Sequence, residues 1–311
     1  MRLFHCYLVY LMVVPLNLSA ITAFFNNGEQ WEIEDPLNEE PVSVKAIRPM
    51  QRALINYKDG TIAKISKQDQ YEVIIIHKFN EVAGLIWPEP LPLAEAKNYI
   101  HQGDLIRGLN VLDAALKVID PWPKTAGSWW LKASLLKLAA LERLQDAKRL
   151  ERWISDLTKH DDGSRPLLST NLKIARLTLL NCQGEPQSTL KNAQVLLPKL
   201  GSPEDTVRVN FSQAQAQLLL KNYPEALSQF LHISAFHGAR FEAYPQVLLG
   251  IATALRGLEN PTVTDGKIHA ASELYLKRII TECPLSSEAA TAQSILNQDI
   301  TPPKPSPTPP T

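Results

Sequence analysis

One short pattern recurs along most of the chain and restricts its fold more than any other feature. It is clearest in KNYPEALSQFLHI, residues 221–233. The apolar residues of this stretch fall at spacings of three, four and three: Tyr223, Ala226, Phe230 and Ile233. Such spacing places them on one face of a helix. A small residue between two large ones predicts that this helix packs very closely against a neighbour.

Related helices are centred on positions 108, 149, 189, 226 and 271, with spacings of 41, 40, 37 and 45 residues. Each follows another amphipathic segment, near 93–102, 126–142, 165–182, 204–220 and 239–256. A lone helix pair cannot bury its apolar stripe, whereas stacked pairs can. The pattern therefore predicts a mainly α-helical region built from about five helix pairs.

The residues expected to pack between these helices share a small or large apolar character at matching positions. They are Gly108, Leu112, Tyr223, Ala226, Phe230, Ala271 and Tyr275.

The helix pairs resemble those of tetratricopeptide-repeat (TPR) proteins. The best matches are Asn222-Tyr223 with Ala226 and Phe230, and Gly103-Asp104 with Gly108 and Leu112. Residues 270–296 are similar to repeats of bacterial outer-membrane-assembly and cell-division-coordinator envelope proteins. The spacing exceeds the usual 34 residues, and most first helices lack the Trp…Leu-Gly…Tyr signature. The resemblance implies a right-handed α-solenoid of degenerate TPR-like helix pairs over residues 91–298. A helical bundle without repeats is the alternative.

The N-terminal segment has the order of a secretory signal over residues 1–23: one Arg, an apolar run, then small residues. Cleavage after Ala20 or after Ala23 would fit, and an uncleaved membrane anchor is the alternative. An exported protein of the periplasm or cell envelope is therefore expected, associated with a membrane only through this segment or through a partner. Residues 24–44 carry many acids and are interpreted as an arm with little structure.

Residues 45–90 show the alternation of β-strands, and Lys58-Asp59-Gly60 predicts a hairpin turn. We expect a small antiparallel β module, either a small barrel or a sheet that packs on the next domain. Residues 299–311 are rich in proline and predict an extended, disordered tail.

The composition and the motifs exclude several classes of function. Thirty-two basic residues balance 32 acidic ones, so no electrostatic footprint for nucleic acid is present. The sequence contains no phosphate-binding loop, HExxH zinc helix, GxSxG elbow or CxxC pair. His232 and His237 are five residues apart, which turns them to different helix faces. We expect no enzyme activity, cofactor or metal site, and Glu142 and Glu151 are interpreted as solvated surface residues.

Cysteine usage does not suggest a disulfide framework. Only Cys182 and Cys283 follow the signal-like segment, and two cysteines in a chain of this size favour separate thiols over a bridge.

The expected function is that of an exported scaffold or adaptor. Stacked helix pairs create an extended concave surface that can hold a protein or peptide partner. Seven polar or aromatic residues are candidates for that surface: Trp129, Lys132, Lys173, Arg176, Asn210, Gln213 and Gln217. Trp129 and Trp130 could instead both be packed in the interior. An accessory subunit of an envelope complex held through the β module, and a helical glycan-acting enzyme, remain alternative functions.

Overall fold

A computed structural model describes residues 20–34, 53–56, 61–68, 71–120, 123–259 and 266–300. The chain forms two compact units. The β unit contains the described residues up to Leu91 together with Val118–Trp129. The helical unit contains Pro92–Lys117 and the described residues from Trp130 onward.

A six-stranded sheet forms the β unit. Its strands are β1 Ala20–Phe25, β2 Gln30–Glu34, β3 Ala53–Asn56, β4 Thr61–Gln68, β5 Tyr71–Lys78 and β6 Val82–Ile86. Their order is β5-β4-β3-β2-β1-β6. Neighbouring strands are antiparallel except β2 and β3, which pair in parallel through Ile33 and Ala53. The sheet is therefore mixed rather than wholly antiparallel.

The sheet curves strongly because its two edge strands are close in sequence. Only the 3-10 helix Phe79–Glu81 separates β5 from β6, and this link spans about 14 Å at most. In a flat sheet five strand spacings would hold the edges about 24 Å apart. The rings of Phe25 and Trp31 lie 4.4 and 4.6 Å from the imidazole of His77 on β5, which brings opposite parts of the sheet together. The strands thus curl in the manner of a small barrel.

Strands β1 and β2 correct the prediction that residues 24–44 have little structure. Both strands belong to the sheet, which therefore begins at Ala20 and not near residue 45. Trp31 and Ile33 are buried while Glu32 between them is exposed. This alternation is typical of a half-buried strand, and the acidic composition of the segment hid it.

Four predictions fall on residues outside the described ranges. These are most of the signal segment (1–19), the remainder of the acidic arm (35–44), the Asp59-Gly60 turn and the proline-rich tail from residue 301 onward. The strands on either side of residues 57–60 do pair in antiparallel fashion, Asn56 with Thr61.

Eleven α-helices are present in the part of the chain that the structure describes. They are α1 Leu91–Gln102, α2 Leu105–Ile119, α3 Trp130–Leu144, α4 Ala147–Thr158, α5 Pro166–Cys182, α6 Pro186–Leu196, α7 Pro203–Leu219, α8 Tyr223–Phe236, α9 Tyr244–Leu258, α10 Gly266–Glu282 and α11 Ser287–Ile300. The prediction of a mainly helical protein with a small N-terminal β module is confirmed.

The turns between paired helices share one backbone feature. Gly103, Gln145, Gly184 and Lys221 all have a positive φ, between 54° and 91°. A left-handed residue after a helix ends it and reverses the chain. Gln145 and Lys221 adopt this conformation without being glycine, which costs about 1–2 kcal/mol each. After the turn at Gln145, the side chain of Asp146 caps the start of α4 by accepting a hydrogen bond from the backbone N–H of Arg149 (3.0 Å).

Each odd-numbered helix from α3 to α9 packs on the next two helices, and each even-numbered helix from α4 to α10 packs on the next one. The odd-numbered helices thus form a continuous row. A hydrogen bond between α3 and α9 shows that the row is strongly curved. The side-chain amide of Gln246 on α9 donates to the backbone carbonyl of Arg143 on α3, 103 residues earlier (2.5 Å). The helical unit therefore encloses a space beside α3, α5, α7 and α9.

Close approach of α8 to α9 depends on two glycines that face aromatic rings. A Cβ atom on Gly250 would lie 2.6 Å from Phe230, which is only 1% exposed. A Cβ atom on Gly257 would lie 2.4 Å from the ring of Tyr223. Ala226 between the two aromatics is fully buried. The small residues that seat these rings thus lie on the next helix, α9.

Comparable small residues lie at two other helix contacts, α1 with α2 and α9 with α10. A Cβ atom on Gly108 of α2 would lie 2.6 Å from Ile100 of α1, and Leu112 one turn later is fully buried. In α10 the buried small residue is Ser272, which donates to the carbonyl of Ala252 (3.2 Å). This places the contact one residue after the predicted Ala271, which is half-buried, as is Tyr275.

Candidate functional site

The enclosed space beside the odd-numbered helices is a pocket of about 520 Å³, here called the central pocket. Its volume lies in the range of known ligand sites. The lining comes from α3, α5, α7, the end of α8, the segment after it and the start of α9. It comprises Ala139, Glu142, Arg143, Thr178, Glu204, Val207, Arg208, Phe211, Ser212, Phe236, His237, Arg240, Phe241, Glu242, Ala243 and Gln246.

An ion pair between α3 and α7 lies in the central pocket. One terminal nitrogen of Arg208 donates to both carboxylate oxygens of Glu142 at 2.9 Å. The other terminal nitrogen donates to the side-chain oxygen of Asn171 (2.5 Å) and lies 3.6 Å from Asp205. The side chains of Glu142 and Arg208 are only 12% and 22% exposed. Glu142 is therefore not the solvated surface residue that the sequence suggested.

Burial and pairing act in opposite directions on the pKa values of this pair. Burial raises the pKa of Glu142, and the nearby Arg208 opposes that rise without cancelling it. For Arg208 burial alone would lower the pKa, but Glu142 and Asp205 outweigh it, so the pKa is raised. The guanidinium therefore keeps its charge. A buried pair of this kind is weak evidence for stability, although removing one partner would leave the other charge uncompensated and is strongly destabilising.

A second arginine in the central pocket, Arg143, has no ion pair with a carboxylate of the described residues. Arg143 is half-buried, and its guanidinium donates to the backbone carbonyl of Ile100 (2.9 Å). Among the described residues no carboxylate lies within ion-pair distance of it, although Glu242 and Glu288 act on it through space. Burial lowers the pKa of Arg143, and the through-space effect of Glu242 and Glu288 does not cancel this lowering. Of these two arginines, Arg208 is fully paired and Arg143 lacks a carboxylate within ion-pair distance.

Aromatic side chains form the apolar part of the central pocket. The rings of Phe211 and Phe241 meet edge to face at 5.4 Å. Phe236 is 73% exposed, the largest fraction among the exposed large apolar side chains of the described residues. Its ring contacts that of His232 at 4.6 Å. Aromatic residues and arginine are enriched in protein–protein interfaces, and both line this pocket.

Trp129, one of the predicted partner-binding residues, lies in the β unit. Its indole N–H donates to the backbone carbonyl of Trp87 (2.9 Å). Trp130 is only 1% exposed and its ring meets that of His160 at 4.9 Å. The alternative that both tryptophans are engaged in packing therefore describes this pair better than an exposed binding role.

The five predicted partner-binding residues on α5 and α7 lie on the wrong side of their helices for the central pocket. By helical geometry Lys173 and Arg176 lie about 140–160° around α5 from Thr178. The other three lie about 140–180° around α7 from Arg208: Asn210, Gln213 and Gln217. Arg176 instead lines a shallow groove with Glu151 and other residues of α4 and α6.

Lys132 is the one predicted residue on the same side of its helix as the pocket lining. It is exposed near the start of α3, about 16 Å along the helix from Arg143. The residues that do line the site were missed because they come from several helices and no local sequence pattern marks them. Glu142 and Arg208, for example, are 66 residues apart.

Other chemistry in the described residues is sparse. No group of three or more His, Cys, Asp or Glu side chains in that part of the chain could hold a metal ion. The thiols of Cys182 and Cys283 are free, and burial raises the pKa of both. Within the same ranges, no helix combines the length and the apolar character needed to cross a membrane.

Comparisons with protein-family models, with curated proteins and with solved structures find no match for this chain. The central pocket is therefore interpreted from its own geometry and chemistry.

Proposed function

We propose that this protein is a non-catalytic scaffold or adaptor whose helical unit binds a protein or peptide partner at the central pocket. The observation that carries the proposal is the exposed Phe236 at a pocket that also contains Arg143, a half-buried cation without a carboxylate. Burying both groups against a partner would remove an apolar ring from water and compensate a charge.

The arrangement of helices supports a TPR-like right-handed α-solenoid. Helix pairs follow one another with similar turns, and the odd-numbered helices form one curved row. In such an architecture the first helix of each pair lines the concave surface. The first helices α3 and α7 contribute half of the lining of the central pocket, and α5 and α9 add one residue each; the rest comes from the end of α8 and the segment after it.

We further propose that the protein acts in the periplasm or cell envelope. The support is the signal-like order of residues 1–23 and the similarity of residues 270–296 to repeats of envelope proteins. The partner is then an envelope or secreted protein.

Site-specific photo-cross-linking tests the binding proposal. A benzophenone amino acid replaces Phe236 in the tagged full-length chain, and cells are irradiated before the envelope fraction is isolated. One stoichiometric protein adduct is expected, because the benzophenone occupies the position of the exposed ring at the pocket.

The matched control places the same photoreactive residue at Lys173, which is exposed on the opposite side of α5. Little or no adduct is expected there. Absence of any adduct at position 236, or the same adducts at both positions, would contradict binding at the central pocket.

A further inference from the structure

The chemistry of the central pocket identifies the group that its partner presents. Resting on the function proposed above, we infer that the partner inserts a carboxylate that pairs with Arg143, next to an apolar side chain that packs on the phenylalanines. The ligand class is thus an acidic side chain or chain terminus flanked by aromatic or aliphatic groups.

Comparison of Arg143 with Arg208, the two half-buried arginines among the three that line the pocket, is the first argument. Arg208 has its charge met by Glu142 and Asp205 and a further hydrogen bond to Asn171. Arg143 has a single side-chain hydrogen bond, to the neutral carbonyl of Ile100. A guanidinium has five N–H donors, so most of those on Arg143 have no partner in the described part of the chain. None of its nitrogens is fully buried without a partner, so the remaining donors are accessible to an incoming group.

The cost of this arrangement is the second argument. A cation that is partly removed from water and has no carboxylate within ion-pair distance is unfavourable unless something compensates it. Arg143 keeps its charge at neutral pH, since arginine is effectively always protonated in proteins. A carboxylate is the natural complement, because the planar guanidinium can bind both of its oxygens in parallel.

The surrounding charges favour a singly charged ligand. Glu204 and Glu242 also line the pocket and are exposed, whereas Arg240 is the exposed cation there. A doubly charged phosphate would meet repulsion from the two glutamates. A carboxylate carries one negative charge and suits the near balance of the lining better.

The rest of the wall provides for a peptide-like neighbour. Phe211 and Phe241 supply an apolar surface next to the arginine. Gln246 donates to the carbonyl of Arg143, and its side-chain oxygen is left without a hydrogen-bond partner. An acceptor left unpaired in the pocket wall is unfavourable until a donor reaches it, and a ligand N–H is such a donor. Carboxylate, apolar group and N–H donor occur together in amino acids and peptides.

Two small probes that differ only in the carboxylate test the inference. They are N-acetyl-phenylalaninate and N-acetyl-phenylalaninamide, titrated into the ¹⁵N-labelled full-length protein. Binding is followed through the arginine Nε–H signals, of which that of Arg143 is assigned by its loss in Arg143→Gln. The acid is expected to bind at least about tenfold more tightly than the amide, as for a charge-assisted hydrogen-bonded pair.

Variants assign the preference to one residue. Arg143→Gln should remove the difference between the probes, while Arg143→Lys should retain part of it because the charge remains. Lys173→Gln removes one positive charge on the opposite side of α5 and should leave the difference unchanged. Equal affinity for the two probes, or a preference that survives Arg143→Gln, would overturn the proposal. So would the absence of acid binding at every concentration at which the probe is soluble.

The two proposals fail separately. An adduct at position 236 together with equal binding of acid and amide would keep the adaptor function and reject the carboxylate. A carboxylate preference that depends on Arg143 without a protein adduct would keep the anionic subsite and reject the adaptor function.

Discussion

Replacement of Gly250 by alanine should destabilise the helical unit of the wild-type chain but stabilise it when Phe230 is shortened to leucine. The new Cβ would lie 2.6 Å from Cε2 and Cζ of Phe230 and 2.9 Å from Cε1. That ring is buried and cannot move into solvent. Leucine lacks all three of these atoms, so Phe230→Leu removes the source of the clash.

Two opposing effects set the expected size of the change. Overpacking in a dense core costs about 1–3 kcal/mol. Replacing a mid-helix glycine by alanine gains about 1 kcal/mol through helix propensity. Gly250→Ala should therefore lower the free energy of unfolding by about 0–2 kcal/mol in the wild-type chain. In the Phe230→Leu background the same change should raise it by up to about 1 kcal/mol, the propensity gain alone.

The assay is urea denaturation followed by far-UV circular dichroism, with midpoints compared among the four variants of the cycle. Gly201→Ala is the control, because a Cβ atom there would meet nothing within 4 Å. It should change the free energy of unfolding by less than about 0.5 kcal/mol. The packing argument is wrong if Gly250→Ala has the same effect in both backgrounds within about 0.5 kcal/mol.

Three further predictions concern the β unit. The imidazole of His77 lies 2.7 and 3.0 Å from two carboxylates, and although burial works to lower its pKa, these hydrogen bonds raise it overall. The contribution of His77 to the stability of the β unit should therefore be present below about pH 6.5 and be lost as pH rises through the raised pKa. This loss should be absent from pH-dependent unfolding curves of His77→Gln. Gly127→Ala should destabilise the unit by at least about 2 kcal/mol, since φ at Gly127 is +78° and the new Cβ would lie 1.8 Å from the carbonyl oxygen of Leu85. The Leu85 amide donates to the backbone of this segment, so its hydrogen exchange should become faster. An unchanged exchange rate would refute this prediction. If the signal segment is cleaved, intact-mass analysis of the exported chain should show a start at Ile21, because residues 21–23 belong to β1 and are partly or fully buried. A folded chain that starts at Phe24 would contradict this prediction.

Helix pairs could be predicted from the sequence because their signal is local. The spacing of Tyr223, Ala226 and Phe230 follows the pitch of one helix, so no knowledge of the neighbours is needed. The turn after α1 was recognisable from Gly103, because glycine favours a positive φ. Gln145 after α3 also has a positive φ, but glutamine gives no such signal in the sequence. Strand β1 was missed because most of it lies in residues 1–23, which were predicted to be the signal segment. Strand β2 was missed because acidic composition outweighed an alternation only three residues long, Trp31 to Ile33.

The side of each helix that faces the central pocket was not predictable in the same way. Lys173 and Arg176 are exposed polar residues on a first helix, which is all that a single helix can indicate. The side of each helix that faces the pocket depends on the rotation of α3, α5, α7 and α9 about their own axes. This rotation is set when the helices pack on one another, by contacts between residues far apart in sequence.

The sequence by itself therefore determined the helical character of this protein, its division into helix pairs and the presence of an N-terminal β module, because these depend on periodicities within short segments. Only the tertiary structure decided that Glu142 is buried with Arg208 and that Arg143 is left without a carboxylate. The reason is physical: the charge balance of a pocket is a property of several helices at once, and it exists only after they pack.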